Sequence, residues 1–300
     1  MSSILTRIAK RSLPTPAKDL TAASLRAWGE LTATWRPVPD FLIIGTKRGG
    51  TTSLWNYLLE HPGVLPMFPA ALDLKSPQYF YWHYDEGPRW YRSHFATGAT
   101  RSLASRRLRA PAVTGEASPN YLHDPRVPQR VKELMPQARI IILLRDPVER
   151  AYSHYKERVR AGTEPLSFEE ALAAESDRLS GEVERMVAEP YYYSQPHDYY
   201  AYRTRGLYLA QIRQWAESFP RSALLIVRSE DFYSDPDSAY AHVTDFLGLP
   251  RFPLKEAKRF NFKPAQEMDA DTRKELTEFF APHNRELEQY LGRDLDWGSR

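Results

Sequence analysis

The 300-residue sequence has no cysteine. Disulfide frameworks, thiolate metal sites and cysteine nucleophiles are excluded together, and the composition suits a reducing, cytoplasmic compartment. Long apolar runs are missing as well: the longest, such as Ile140 to Leu144, fall far short of the roughly 18 residues that a membrane span requires. Charge of one sign is scarce. Lys and Arg number 41 against 38 Asp and Glu, a formal net charge of +3, too small to act as a nucleic-acid footprint. No internal repeat or low-complexity tract is found. What remains, 42% hydrophobic and 26% charged residues with 18 Tyr, 7 Trp and 24 Pro, describes a globular chain of rigid turns and aromatic surfaces. A chain of this length hides roughly 75% of its unfolded surface and needs no staples. At the N-terminus, Arg7, Lys10 and Arg11 interleave with Ile4, Leu5 and Ile8. The apolar part is too short and interrupted for a signal peptide. A solvated chain end is expected, with weak peripheral contact to a membrane surface as the alternative.

Residues 1–38 form an N-terminal segment ending at Pro37–Val38–Pro39, and residues 39–297 read as one domain. Phe41–Ile44 is a buried strand stopped by Gly45, followed by a helix from about Thr51 to Glu60. Ala138–Leu144 is a second buried strand. Its following helix has Asp146 at the N-cap, Pro147 at the first position and Glu149 in capping-box position, and Gly162 ends it. Further strands are expected at Ala112–Glu116 and Ala223–Val227. Tyr208, Ile212, Trp215 and Phe219 form a helical stripe, and Asp235–Pro236 caps another helix. A last helix over about Asp271–Leu291 is expected to break near Pro282. Apolar strands alternating with helices argue an α/β fold, three-layer α/β/α around a central parallel sheet. Only residues 165–205 break the rhythm, with a polar helix and then the aromatic run Tyr191 to Tyr200, and they read as an insertion within the one domain, expected as a lid over the acceptor site.

The stretch Gly45-Thr-Lys-Arg-Gly-Gly-Thr-Thr-Ser53 joins the first strand to the first helix. Adjacent Gly49 and Gly50 let backbone N–H groups turn inward around an oxyanion, and the helix N-terminus adds partial positive charge. Lys47 and Arg48 supply full charge; Thr51, Thr52 and Ser53 supply hydroxyls. The Walker pattern is not met, because Thr51 occupies the lysine position after Gly50. Downstream, Arg145 leaves the second strand and Ser153 follows the Asp146 cap by seven residues, about 700° of helix or about 20° short of two turns. Arg145 and Ser153 therefore reach the same ligand.

The basic–Gly–Gly–Thr–Thr loop, with Arg145 and Ser153 about 95 residues later, resembles the sulfotransferases that use 3′-phosphoadenosine 5′-phosphosulfate (PAPS). Gly115-Glu-Ala-Ser-Pro-Asn-Tyr121, Gly206 to Trp215, Ser229-Glu-Asp-Phe232, Phe246 to Pro250 and Leu291 to Trp297 are similar to further segments of that family. The likeness is greatest to the heparan sulfate branch and its bacterial relatives. The resemblance implies a P-loop-like nucleotide-binding fold, PAPS as co-substrate with PAP as product, and no metal. It implies that Lys47, Arg48, Gly49, Gly50, Thr51, Thr52 and Ser53 hold the 5′-phosphosulfate, that Arg145 and Ser153 hold the 3′-phosphate, and that Lys263 closes over the adenosine. Arg48 is the catalytic cation for the bridging oxygen.

The sequence departs from the family at the base. The heparan sulfate branch carries a Lys–Glu–x–His–Phe–Phe pattern, whereas this chain reads Lys75-Ser-Pro-Gln-Tyr-Phe80, so Ser76 replaces the glutamate. Glu116, at the end of a strand expected to face the cleft, is the replacement base, with Asp73, His123 and His154 as weaker candidates. Trp82 to Trp90 and Tyr191 to Tyr202 are equally readable as an acceptor platform or as packing. The expected activity is transfer of a sulfuryl group to a hydroxyl or amine of a small-molecule, lipid or glycan acceptor. A P-loop kinase or NTPase, and a PAPS-binding protein without catalysis, stand as the alternatives.

Overall fold

Five short apolar segments pair into one parallel sheet: β1 (Phe41–Gly45), β2 (Val64–Leu65), β3 (Val113–Ala117), β4 (Arg139–Leu144) and β5 (Leu224–Arg228), in the order β2-β3-β1-β4-β5. They belong to a computed structural model that describes residues 15–255, 257 and 267–298. Every residue of β1 and β3, and all but the first of β4, is buried, as expected of strands covered on both faces by helices. The α/β architecture expected from the sequence is therefore observed. Four of the strands lie within a residue of their expected positions; two-residue β2, at the sheet edge, is too short to leave a pattern.

The chain runs from β1 outward to β2, returns beside β1 as β3, then crosses to the opposite side of β1 as β4. The strand order thus reverses around β1, the switch point outside whose carboxyl ends such sheets bind ligands. Near its end β1 carries an irregularity: Ile43 pairs with Ile141, yet Gly45 pairs with Ile142. The extra residue, Ile44, bends the strand just before the glycine loop.

The helices include α1 (Thr15–Leu31), α2 (Thr51–Glu60), α3 (Pro147–Arg160), α4 (Tyr208–Ser218), α5 (Pro236–Phe246) and α6 (Ala270–Leu291). Helix α3 starts at Asp146 as expected, but the capping box does not form. Asp146 accepts from the Val148 N–H at 2.8 Å, while its own N–H is taken by Glu230 at 3.0 Å. Glu149 instead pairs with Arg273 at 2.7 Å. Helix α6 runs unbroken through Pro282. Buried Leu276 and Phe280 before the proline and Leu287 after it hold both halves against the body of the protein, which outweighs the missing hydrogen bond.

The 165–205 segment folds as several short helices rather than one polar helix. It is not peripheral: Phe168, Ala171, Leu172 and Tyr202 build a second core with Val148 and Ala151 of α3 and Leu276 and Phe280 of α6. On the N-terminal side, buried Arg36 fastens the chain after α1. Its Nε donates to the Thr32 hydroxyl at 2.8 Å, another guanidinium nitrogen donates to the Phe95 carbonyl, and the group lies 4.1 Å from the Phe68 ring centre. Residues 4–11 lie outside the described residues.

Gly115 marks where β1 and β3 meet most tightly: a Cβ there would come within 2.3 Å of the Phe41 ring. Gly115→Ala is expected to destabilise the protein by about 1–3 kcal/mol, as overpacking does. Denaturant unfolding should show the loss shrinking in a Phe41→Leu background, since the smaller side chain frees the space.

Candidate active site

The loop from Gly45 to Ser53 is held by backbone and side-chain bonds from three directions. The Thr46 N–H donates to the Leu143 carbonyl of β4 at 2.7 Å, and Gly49 donates to the Thr46 carbonyl at 2.9 Å. From beyond β5, the Ser229 hydroxyl donates to the Gly49 carbonyl at 2.6 Å. Both loop glycines are obligatory. A Cβ on Gly49 would stand 2.9 Å from the Leu143 carbonyl oxygen, and Gly50 has φ of +99° with the Tyr233 hydroxyl 2.7 Å from where a Cβ would be. The loop delivers the N-terminus of α2 to the end of the sheet, where the first-turn N–H groups of Thr51 and Thr52 lack intrahelical acceptors.

Four cations converge there. Lys47 pairs with Asp198 at 3.1 Å and lies 3.7 Å from Glu157. Arg48 donates to the Ser153 hydroxyl at 3.0 Å and pairs with Glu157 at 3.1 Å. Arg145 donates to the Arg48 carbonyl at 3.2 Å. Lys75 donates to the Thr52 hydroxyl at 2.7 Å. Burial lowers the Lys47 ammonium to about 8, partly offset by Asp198, and it lowers Lys75 as well. Burial, the largest single influence, would raise Asp198 and Glu157, but Lys47 and Arg205 together with the hydrogen bonds at Asp198, and Lys47, Arg48 and Arg158 together at Glu157, outweigh it and hold both carboxyls below their ordinary values. The cations are thus assembled and partly desolvated, with two carboxylates standing opposite them. Such a cluster binds a polyanion by exchanging internal ion pairs for phosphate contacts.

The structure brings together Lys47, Arg48, Gly49, Gly50, Thr51, Thr52, Arg145 and Ser153. Ser53 is fully buried and its hydroxyl faces that of Tyr233 at 3.4 Å. Lys263, with Lys258 and Arg259, lies outside the described residues. Three site members carry no role that the sequence pattern alone assigns. Lys75 stands in the quoted Lys75–Phe80 motif. Glu157 follows Ser153 by one helical turn, a spacing that places both against the loop. Asp198 comes from the 165–205 segment, where no pattern singles it out.

The expectation for Glu116 needs correction in one respect. Its position at the end of β3 is as expected, but the side chain points inward and is 0% exposed. Its carboxylate accepts from Tyr91 at 2.7 Å, Ser118 at 2.5 Å and Tyr121 at 3.3 Å. In this arrangement the carboxylate has no open face toward an acceptor. His154 is fully buried, both of its ring nitrogens and both of His123's are buried and unpartnered, and burial drives both imidazoles well below their ordinary range. Asp73 lies exposed. The two aromatic segments do meet: Trp82 stacks on Tyr193 at 5.0 Å and 13°, with Trp82 half exposed. Asp146, the acid at the end of β4 on which a P-loop kinase would hold magnesium, accepts instead from the Val148 N–H as the cap of α3.

Fold and site together define an α/β protein that sets four cations and a glycine loop without the Walker lysine at the switch point of a parallel sheet. The profile of the Sulfotransferase family matches residues 39–253, and the chain belongs to that family. It is 31% identical to the human heparan sulfate glucosamine 3-O-sulfotransferase 6, over 88% of this chain and 75% of that protein. It is 27% identical to the membrane-associated sulfotransferase kil1 of Dictyostelium discoideum, over 87% of this chain and 66% of that protein. The chain spans just under two thirds of the Dictyostelium protein. A sulfotransferase crystal structure from Alicyclobacillus acidocaldarius superposes with a TM-score of 0.61 at 33% identity, covering 86% of this chain and 97% of that one. No helix among the described residues is long and apolar enough to cross a membrane.

Burial pushes the Glu116 carboxyl up to about 7 against the lowering effect of its three hydroxyl partners. A carboxyl whose folded value is raised contributes stability below its unfolded value that is lost as pH rises through the folded one. The melting temperature of Glu116→Gln minus that of the wild type should therefore climb between about pH 4.5 and 7. A flat difference across that window would mean that Glu116 is ionised throughout.

Proposed function

We propose that the protein transfers the sulfuryl group of PAPS to a hydroxyl or amine of a carbohydrate, lipid or secondary-metabolite acceptor. The carrying observation is the convergence of Lys47, Arg48, Lys75, Arg145 and Ser153 on the glycine loop at the switch point. In this reading the 5′-phosphosulfate lies on the loop and the N-terminus of α2. Arg48, always charged, faces the bridging oxygen and neutralises the charge that grows on the departing phosphate. Arg145 and Ser153 hold the 3′-phosphate, Arg48 releasing Ser153 as it turns to the sulfate. Family membership and the heparan sulfate relative support a glycan among the acceptor classes, and the half-exposed Trp82 stacked on Tyr193 offers a flat apolar face for a sugar ring. The cysteine-free composition supports a cytoplasmic setting, whereas the Dictyostelium relative is named for membrane association.

The reading predicts that PAP raises the melting temperature without magnesium, through preferential binding to the native state, and that magnesium–ATP does far less. Arg145→Ala should weaken PAP by about 2–5 kcal/mol, the usual cost of removing one partner of a desolvated charge pair. The analogue lacking the 3′-phosphate should be much less affected in the same titration calorimetry. Equal weakening of both nucleotides would place the 3′-phosphate elsewhere, and equal melting shifts from PAP and magnesium–ATP would favour a kinase.

A further inference from the structure

Ser76 occupies the place where the heparan sulfate branch carries a glutamate, and it is not isolated. The Lys75 carbonyl accepts from the Ala117 N–H at 2.7 Å, which lays residues 75 and 76 along the end of β3. The Ser76 hydroxyl then lies 2.6 Å from that of Ser118, and the Ser118 hydroxyl donates to Glu116 Oε2 at 2.5 Å. Burial deepens along this line, from partly exposed Ser76 to Ser118 at 1% and Glu116 at 0% exposure. At the outer end, Lys75 reaches the Thr52 hydroxyl of the anion loop, so Ser76 is the next residue to a cation of the nucleotide site.

With Glu116 ionised, counting hydrogens fixes the direction of the line. A serine hydroxyl has one proton. Ser118 gives its proton to Glu116, so the short contact between the serines is donated by Ser76. Tyr91 and Tyr121 also donate to the carboxylate. Every proton in the network then points inward, which leaves a lone pair of the Ser76 hydroxyl at the outer end, where an acceptor hydroxyl would donate.

We propose that Ser76 and Ser118 form a proton relay that carries the acceptor's proton to Glu116, so that the base displaced from position 76 acts from inside the protein. The proposal rests on the sulfuryl-transfer reading above. As the acceptor oxygen bonds to sulfur, the sulfur–oxygen bond to the PAP phosphate breaks and its electron pair leaves on the phosphate. The acceptor's proton moves to Ser76 Oγ, the Ser76 proton to Ser118 Oγ, and the Ser118 proton to Glu116 Oε2. Both serines end neutral and Glu116 ends protonated. The same hops in reverse, from Glu116 to Ser118 to Ser76 to a water, return that proton to solvent and restore the inward-pointing hydroxyls. The groups facing Glu116 are Ser118 and Tyr121 beyond β3 and Tyr91 from the helix Gly87–Arg92, with the Met135 sulfur beside the Tyr91 hydroxyl at 3.6 Å. None is cationic, and burial sets the carboxyl at about 7, where it both takes and returns a proton near neutral pH.

The test uses the full chain, sulfur-labelled PAPS, and water as the acceptor, with release of labelled sulfate as readout and PAP affinity measured in parallel. Ser76→Ala, Ser118→Ala and Glu116→Gln should each slow release by about tenfold or more, a positioned base commonly contributing about 10²–10⁴-fold. PAP affinity should stay near wild type in all three. Ser118→Ala combined with Glu116→Gln should be no slower than either alone, because members of one unit are not additive. Ser76→Glu should restore release to Glu116→Gln, with its acid limb shifted from about 7 toward the ordinary carboxylate range. Infrared difference spectra across pH 7 supply a second readout. The protonated Glu116 carbonyl band, absent in Glu116→Gln, should shift in Ser76→Ala although the two residues do not touch. Full-rate release by Ser76→Ala or Ser118→Ala with normal PAP affinity would overturn the relay, as would a failure of Ser76→Glu to rescue. A wild type that binds PAPS yet releases no sulfate leaves the decision to the infrared shift, and an unmoved band then overturns the relay. A wild type that does not bind PAP overturns the sulfuryl-transfer reading itself, a separate result.

Discussion

Gathering Lys47, Arg48, Lys75 and Arg145 at the carboxyl end of the sheet sets unlike demands on the fold. Their mutual repulsion and partial desolvation must be offset without any ligand, and Glu157 and Asp198 supply the offset at 3.1 Å from Arg48 and Lys47. Two distant parts of the chain thereby become part of the loop's environment. Glu157 needs α3 to run its full length past Ser153, and Asp198 needs the 165–205 segment packed on α3 and α6 through its own small core. A buried ion pair of this kind contributes little net stability, but removing one partner is strongly destabilising. The carboxylates thus balance the cations in this structure, and in the proposed sulfuryl-transfer reading an incoming polyanion displaces them.

The loop's shape depends on segments far along the chain. Ser229, just past β5, fixes the Gly49 carbonyl. Tyr208, at the start of α4, donates to the Arg145 carbonyl at 2.7 Å, and Glu230 accepts from the Asp146 N–H while its other oxygen meets the Trp297 indole at 3.3 Å. Segments that the sequence offers only as family likeness, around Tyr208, Ser229 and Trp297, thus have a common physical purpose. They hold the ends of β1 and β4 so that Arg145 and the loop face one space.

The features legible in the sequence are those encoded locally. Continuous apolar runs mark β1, β4 and β5; Asp146–Pro147 marks the start of α3; and the glycine loop announces its own chemistry through residue types that a plain turn does not need. Features that depend on contacts across the fold are hidden there. Asp198 lies in an aromatic run with no spacing to connect it with Lys47. Pro282 breaks a helix locally, yet Phe280 and Leu287 keep α6 whole. Glu116 shows how a strand end misleads: its position is readable, but which face of β3 it takes depends on Tyr91 from a helix that the sequence pattern does not reveal. The Ser76 substitution is visible as a departure, and only the fold shows that its hydroxyl leads to Glu116.

The central claim is that one nucleotide is gripped at both ends of this cluster. A crystal structure of the full chain with PAP tests it most directly. The account predicts the 5′-phosphate within hydrogen-bond distance of the Gly49 to Thr52 backbone with Arg48 and Lys47 turned onto it, and the 3′-phosphate on Arg145 and the Ser153 hydroxyl. PAP bound away from the loop, or held there with its 3′-phosphate remote from Arg145 and Ser153, would contradict it.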